Sequence, residues 1–413
     1  MESFQKSFTQ QEPIPEAGIS RAVEILRSGR LHRYNTAPGE TAETVILEEH
    51  FADYIRMRHC LACASGGYAI AAALRAFGLH HGEPVLTNAF TLSPVPGAIQ
   101  SVGARAVLVE TTEDLVMDLE DLDRKLAASS ARLVLLSHMR GHIVDMDALG
   151  ATLKRHGASL IEDCAHTMGA SWGDRPCGSF GLAGCFSTQT YKHINSGEGG
   201  FLVSNDPEFM ARSIVLSGSY MLYGQHTMGP PAETYADIRL STPNCSGRMD
   251  NLRAAILIPQ LDELDDRVRR WNERYHALES GLAGAPGLYM PVRPAQEHFV
   301  GSSLQFLLPG ISDRQAEDFL ARCRRRGVEL KWFGAPEPKG YTSTHASWKY
   351  LLAQSLPRTD QVLHSLFDLR IPLTFTLEDC HLIGRVIRQN MEALTDSSSS
   401  ATPHHTAHTG DKA

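Results

Sequence analysis

The stretch FSTQTYKHINSGEGGFLVSND, residues 186–206, decides the fold of this chain and locates its chemistry. Its beginning completes the uncharged run GLAGCFSTQT, which has the pattern of a buried strand, and GGFLVSN has the pattern of a second one. Lys192 stands between them, followed by a turn rich in Ser and Gly. An ammonium group is rarely buried without a partner, so a lysine at the end of a core strand needs a physical reason.

Upstream of this stretch, short apolar runs alternate with segments of helical period. The predicted strands include HCLACAS, EPVLTNAFT, ARAVLVE, RLVLLSH and ASLIED, and the predicted helices include GGYAIAAALRAFGL and DMDALGATLKRHG. Continuous apolar strands separated by helices predict an α/β fold with a mostly parallel sheet covered on both faces. In such folds the chemistry lies at the C-terminal ends of the strands.

The length of the chain, 413 residues, predicts more than one domain. A long helical pattern that starts near Met249 is predicted to lead out of the first domain. We predict a large domain over residues 1–265 that includes an N-terminal arm, and a smaller C-terminal α+β domain over 266–395. Residues 396–413 are predicted to be a disordered tail, because DSSSSATPHHTAHTGDKA cannot bury apolar surface.

Composition excludes several classes of function. A formal net charge of −8 argues against nucleic acid as the main partner. We expect no membrane span, because the sequence has no run of about 18 apolar residues. A polar N-terminus and eight cysteines scattered through apparent core segments predict a cytoplasmic protein with free thiols. Cys60 and Cys63 have metal-site spacing but no companion pair, so we predict packing there and no metal site.

Three polar features fall at predicted strand ends. Ser65, Gly66 and Gly67 lie between a strand and a helix, where backbone N–H groups bind anions, although paired glycines also serve packing. Asp163 ends the run LIED and either caps the next helix or serves a site. Lys192 is a snorkelling side chain, a partner of a buried acid, or an amine kept reactive by desolvation. Together they form the set of groups that pyridoxal phosphate (PLP) requires.

These residues carry a resemblance to a known family. The block from Asp163 to Gly200, with LIEDCAHTMGA and FSTQTYKHINSGEGG, resembles the DegT/DnrJ/EryC1/StrS family of sugar aminotransferases. The resemblance extends through most of the large domain and implies the fold-type-I, aspartate-aminotransferase-like architecture. It implies a PLP-dependent aminotransferase that moves an amino group from glutamate or glutamine to a keto group of a sugar, cyclitol or related small metabolite in biosynthesis. It also implies a homodimer with shared active sites, acting on small molecules.

The resemblance also implies a role for each matching residue. Lys192 would form the Schiff base and shuttle the proton, Asp163 would pair with the pyridine nitrogen, and His166 would lie near the ring hydroxyl. The predicted phosphate ligands are Ser187, Gly66 and Gly67. Some relatives carry His in place of the lysine and are dehydratases. In the family pattern the lysine stands five residues before the first glycine of GEGG, which selects Lys192 rather than His193.

Three cofactor positions depart from the family pattern. Leu92 stands where an aromatic residue commonly packs on the cofactor ring, and Gly67 replaces a usual Thr. Ser246 lies in NCSGRMDN, the segment that a partner subunit would donate, where an Asn is usual. The C-terminal loop LKWFGAPEPKGYTSTHASWKYL also differs from relatives. Candidate ligands for a substrate anion are Lys331, Trp332, Lys339 and Arg140.

Two alternatives remain open at this point. A PLP enzyme of another reaction type, catalysing elimination, decarboxylation or racemisation, is suggested by Leu92 and by the altered C-terminal loop. A non-catalytic PLP-binding regulator would keep the fold alone. The pairing of Lys192 with Asp163 argues against the regulator, because a binding module has no need of an imine-forming lysine.

Overall fold

A seven-stranded sheet forms the centre of residues 59–204. The computed structural model describes residues 2–340 and 343–399, and only the backbone from 395 onward. The strands are β1 (His59–Cys63), β2 (Pro84–Asn88), β3 (Arg105–Val109), β4 (Leu133–Ser137), β5 (Ser159–Asp163), β6 (Ser171–Trp172), β7 (Arg175–Pro176), β8 (Ala183–Ser187), β9 (Gly200–Ser204), β10 (Glu297–His298), β11 (Ser303–Leu307), β12 (Lys331–Trp332) and β13 (Leu366–Arg370).

Helices connect most of these strands. They are α1 (Glu16–Ser28), α2 (Glu43–Ile55), α3 (Gly66–Phe77), α4 (Pro94–Ser101), α5 (Leu119–Ala128), α6 (Met146–His156), α7 (Pro207–Ser217), α8 (Ile238–Ser241), α9 (Asn251–Asp262), α10 (Leu264–Leu282), α11 (Asp313–Arg325), α12 (Pro357–His364) and α13 (Leu377–Ser399).

The large sheet has the strand order β1-β9-β8-β5-β4-β2-β3. The five strands from β8 to β3 are parallel, whereas β9 runs antiparallel to both β8 and β1. The predicted α/β class with a mostly parallel sheet is therefore confirmed. The chain reverses between β8 and β9 without a crossover helix, as only an antiparallel pair permits.

Both faces of this sheet are apolar, because successive side chains of a strand point to opposite faces and the strands consist of consecutive apolar residues. In β4, Leu133 and Leu135 pack with α3, α4 and α7, while Val134 and Leu136 pack with α2, α5, α6 and α9. Each of these four leucine and valine side chains is at most 2% exposed. Burial on two faces explains why the strands read as continuous apolar runs.

A second, three-stranded antiparallel sheet has the order β11-β13-β12. The helical pattern from Met249 that leads to it is interrupted at Glu263, which separates α9 from α10. The predicted boundary between residues 265 and 266 falls just after this interruption, and the division into domains stays a prediction. The indole N–H of Trp271 on α10 donates to the Ile371 carbonyl at 2.9 Å, which ties α10 to the chain just after β13.

The N-terminal arm packs beside this second sheet. Phe4 and Phe8 contact the ring of Phe375 edge to face, with centroid distances of 4.8 and 5.0 Å. The backbone N–H of Phe4 donates to the Arg326 carbonyl. At the other end α13 continues to Ser399, into the segment predicted to be disordered, and residues 400–413 lie outside the described residues. No helix among the described residues is both long and apolar enough to cross a bilayer.

Candidate active site

A cavity of about 460 Å³ opens at the C-terminal edge of the parallel strands. Its volume lies within the range of small-molecule sites, about 300–1,000 Å³. The structure brings together at its walls all but one of the residues predicted for the site: Gly66, Gly67, Leu92, Asp163, His166, Ser187 and Lys192.

Lys192 lies in the connection between β8 and β9, five residues after the last residue of β8. Its backbone N–H donates to the Gln189 carbonyl at 2.8 Å, so the lysine sits in a tight turn rather than in the strand itself. The side chain is half-buried and faces the cavity. Its Nζ lies 3.0 Å from Nε2 of His166.

The surroundings of Lys192 favour a neutral amine. Desolvation lowers its pKa to about 7 against the attraction of Asp163, and the positive charges of Arg140 and Arg370 add to the lowering. Desolvation and the neighbouring Lys192 also hold the pKa of His166 well below its usual range. Near neutral pH, a large fraction of the Lys192 amine is therefore unprotonated and able to act as a nucleophile or base.

Asp163 is held in place by its neighbours at the ends of two parallel strands. It is the last residue of β5, opposite Ser137 at the end of β4. Its Oδ2 accepts a hydrogen bond from Ser137 Oγ at 2.7 Å, and its Oδ1 accepts one from the Ala165 N–H at 3.1 Å. The carboxylate is 6% exposed, and these bonds fix its direction toward the cavity.

The N-terminus of α3 meets the end of β8 at unusually close range. A Cβ on Gly66 would lie 2.7 Å from Cβ of Ser187, a separation that side chains do not reach. Ser65 caps the helix by accepting the Tyr68 N–H at 3.0 Å. The other N–H groups of the first turn have no hydrogen-bond partner within the helix, so this corner has the chemical character of an anion site.

The two remaining predicted residues differ in placement. Leu92 is half-buried on the cavity wall before α4. Within the described part of the chain, Ser246 is exposed and stands outside the cavity of its own chain. It has a left-handed backbone, and its N–H donates to Asn244 Oδ1 at 2.9 Å. Its contribution to a partner's cavity stays a prediction.

Arg370, which the sequence analysis did not identify, also lines the cavity. It ends β13, and its guanidinium lies 3.8 Å from the centroid of the Tyr191 ring. The signal was a charged residue at the end of the apolar strand LFDLR, as with Asp163 in LIED. Arg140, a predicted anion ligand, lines the same cavity and forms an ion pair with Asp368 at 2.8 Å.

One buried group of side chains below the site has metal-ligating atoms. His138, Glu162 and Cys164 place their donor atoms within 4.8 Å of one another. Both carboxylate oxygens of Glu162 accept backbone N–H groups in the segment 178–181, at 2.7 to 3.0 Å. These bonds occupy the carboxylate, so we interpret the group as an anchor for that segment.

Comparison with known proteins identifies the chain. A model of the DegT/DnrJ/EryC1/StrS aminotransferase family matches residues 15–388. The chain belongs to this family. The matched region covers every strand from β1 to β13, and the resemblance predicted from residues 163–200 is confirmed.

Three relatives illustrate the range of the family. The chain is 32% identical over 237 residues, 56% of its length and 58% of the relative's, to the pleiotropic regulatory protein of Geobacillus stearothermophilus. It is 30% identical over 285 residues, 67% and 66%, to L-glutamine:2-deoxy-scyllo-inosose aminotransferase of Micromonospora echinospora. It is 33% identical over 284 residues, 67% of each, to dTDP-3-amino-3,4,6-trideoxy-alpha-D-glucose transaminase of Streptomyces venezuelae. The chain thus spans about two thirds or less of the length of these relatives.

A solved structure supports the fold over nearly the whole chain. DesV of S. venezuelae, crystallised in complex with a ketimine intermediate, superimposes with a TM-score of 0.76 at 26% identity. The superposition covers 91% of this chain and 94% of DesV. The predicted fold-type-I architecture is confirmed.

Proposed function

We propose that the protein is a PLP-dependent aminotransferase. It moves an amino group from glutamate or glutamine to a keto group of a sugar, cyclitol or related small metabolite in a biosynthetic pathway. The observation that carries this proposal is the amine of Lys192, 3.0 Å from His166, in the cavity that also contains Asp163. Family membership and the names of an inosose aminotransferase and a sugar transaminase among the relatives support it.

The residues of the cavity fit pyridoxal phosphate. The corner between Gly66 and Ser187, too close for any other residue at position 66, suits its phosphate. Asp163 suits the protonated ring nitrogen, and Lys192 suits the aldehyde carbon. When bound, the cofactor withdraws electrons from the carbon that carries the amino group.

The chain's own groups then divide the work. Lys192 Nζ takes a proton from the α-carbon of the donor and returns one to the acceptor carbon, because its lowered pKa leaves it able to do both near neutral pH. The Asp163 carboxylate would stabilise the positive charge of the protonated ring nitrogen by electrostatic attraction. Ser137 keeps that carboxylate oriented by donating a hydrogen bond to it. Arg140 and Arg370 line the same cavity and supply positive charge for a donor carboxylate.

We extend the proposal to a homodimer in the cytoplasm. The segment before α9 exposes apolar side chains, with Tyr220 and Met221 each 57% exposed and Leu240 76% exposed, which a second copy would cover. Ser246 lies in the same segment, where it would reach the cofactor of the partner. All eight cysteines are free thiols, as in proteins of a reducing compartment.

Two other functions would use the same cavity. A different PLP reaction, elimination, decarboxylation or racemisation, is favoured by Leu92 in place of an aromatic residue. A regulator is favoured by the name of the G. stearothermophilus relative. Product analysis separates them: transamination stops after one half-reaction without a keto acceptor, the other reactions continue, and a regulator has no turnover.

The test follows the visible absorbance of the purified protein. We expect a yellow protein whose band bleaches when glutamate or glutamine is added, and a Lys192→Ala variant without that band. Lys154→Ala, which removes an exposed lysine on α6, is the matched control and should behave as wild type. A colourless protein that takes up no added PLP would contradict the cofactor assignment, and full transamination by Lys192→Ala would contradict the role of the lysine.

A further inference from the structure

A second cavity, of about 430 Å³, lies directly beside the first. Tyr191, Gly340 and Arg370 line both cavities, so they form the wall between them. Beyond this wall the second cavity is bounded by α11, by β12 and by Phe8 and Thr9 of the N-terminal arm. It therefore extends the space around Lys192 toward the second sheet.

The second cavity carries an excess of positive charge. Its cationic lining residues are Arg324, Lys331, Lys339 and Arg370, and its acidic ones are Glu329 and Asp368. Asp368 is already engaged, since it forms an ion pair with Arg140 at 2.8 Å and accepts a hydrogen bond from Gln305 Nε2 at 2.7 Å. The lining therefore has four cationic and two acidic residues, and one of the acids is shared with Arg140, so the second cavity has a net positive charge.

Lys331 is the cation most affected by its surroundings. It lies on β12 directly opposite Asp368 on β13 and is half-buried. Desolvation lowers its pKa to about 8 even though Asp368 opposes the shift. Trp332 and Leu320 add apolar surface to the same walls. Because Lys331 is half-buried, the charge of its ammonium group is screened less than that of a fully exposed lysine, which favours an anion beside it.

We propose that this second cavity binds an anionic group of the acceptor, of phosphate or carboxylate type, carried several bonds away from the keto carbon. This inference rests on the proposed function. Two of the three wall residues contact each other through their side chains, since the Arg370 guanidinium lies over the Tyr191 ring, and Tyr191 is the neighbour of Lys192. Rotation of these two side chains would join the cavities, so an acceptor could place its keto carbon near Lys192 and its anionic group near Lys331.

Binding of inorganic phosphate to the PLP-loaded full chain is the first test, because the loaded cofactor already fills the corner at α3. We expect calorimetric titration to show phosphate binding that weakens about tenfold or more in Lys331→Ala, as for loss of a charged hydrogen bond. Arg324→Ala removes an exposed residue and should weaken binding without affecting folding. Arg314→Ala, an exposed position of α11 outside the cavity lining, is the matched control. Absence of binding, or equal binding by all variants, would overturn the proposal.

A ketose pair tests whether the anion belongs to the acceptor. After loading with the amino donor, the enzyme should bind fructose 6-phosphate about tenfold or more tighter than fructose, and Lys331→Ala should abolish the preference. Equal affinities would overturn the acceptor assignment. A second result would also overturn the acceptor assignment: phosphate slows the donor half-reaction in the wild type but not in Lys331→Ala. The cavity would then be a regulatory anion site. Failure of the proposed function looks different: the donor would cause no spectral change in the wild type or in Arg314→Ala.

Discussion

Replacement of Lys192 by Met in the cofactor-free protein tests the electrostatics of the cavity without any assay of activity. The folded protein lowers the pKa of this lysine to about 7 from the ordinary value of 10.5, which the unfolded chain regains. Between these two pH values the unfolded state binds more protons than the folded state, so the free energy of unfolding rises with pH. Burial of the protonated Lys192 side chain destabilises the folded state fully at pH values below the pKa of the lysine in the folded protein. This destabilisation disappears at pH values above the pKa of the lysine in the unfolded chain.

The size of the effect follows from this window. Each pH unit within it contributes at most about 1.4 kcal/mol, and between about pH 7 and pH 9 the change amounts to about 2 kcal/mol, because the lysine is only partly protonated at the lower end. Met has a similar length and no charge, so the variant lacks the penalty. We therefore expect Lys192→Met to be more stable than the wild type, with a difference that shrinks by about 2 kcal/mol from pH 7 to pH 9.

Urea unfolding of both proteins at the two pH values measures this difference. His166 does not titrate in the window, because its pKa lies well below its usual range. Lys154→Met, at an exposed position of α6, is the matched control, and its difference from the wild type should be the same at both pH values. A difference between wild type and Lys192→Met that does not change with pH would refute the claim that the cavity desolvates this lysine.

Three further substitutions test the other parts of the site. Gly66→Ala forces a Cβ to within 2.7 Å of Ser187 Cβ. We expect this variant to lose about 1–3 kcal/mol of stability and to bind PLP much more weakly in a spectral titration. The control is Gly67→Ala, which should bind PLP normally because the nearest neighbours of its added Cβ lie at 4.0 Å. Ser137→Ala removes the hydrogen bond to Asp163 and should slow the donor half-reaction in stopped-flow measurements by about tenfold, from a loss of about 1.5 kcal/mol; an unchanged rate would show that the carboxylate needs no such support. Asp163→Asn keeps the size and removes the charge, and we expect a loss of about a hundredfold or more in the same assay; activity close to wild type would exclude the proposed electrostatic role.

Much of this site could be predicted because it is built from consecutive strand ends. Asp163 and Ser187 each end a short apolar run, and in a parallel sheet such ends share one edge. Lys192 follows the second of these runs within one turn. The local sequence is therefore enough to predict which residues form the site and that they meet at the C-terminal edge of the parallel strands.

The parts that could not be predicted depend on packing between distant segments. Arg370 and Ser302 reach the cavity from the end of β13 and from the segment before β11. Arg370 ends a strand as Asp163 does, but the local sequence does not show that this strand end faces the cavity of the large sheet. The break at Glu263 was missed because α9 and α10 both keep a helical period on either side of it. The reversed direction of β9 was missed because a strand buried on both faces reads alike in either direction, although the lack of a helix between β8 and β9 was a usable signal.

The hairpin that carries Lys192 has a consequence for how this chain can change in length. Both of its arms are interior strands, paired residue for residue from Ala183 opposite Ser204 to Ser187 opposite Gly200. The connection is closed by further bonds, from the Thr188 N–H to the Gly199 carbonyl and from the Ser196 N–H to the Thr188 carbonyl. A shift of one residue would turn every side chain of an arm toward the opposite face of the sheet. An insertion or deletion is therefore confined to the connection itself, where it moves the amine of Lys192 but leaves the fold intact. A homologue with a different number of residues between these strands should be folded but unable to attach a cofactor at this position.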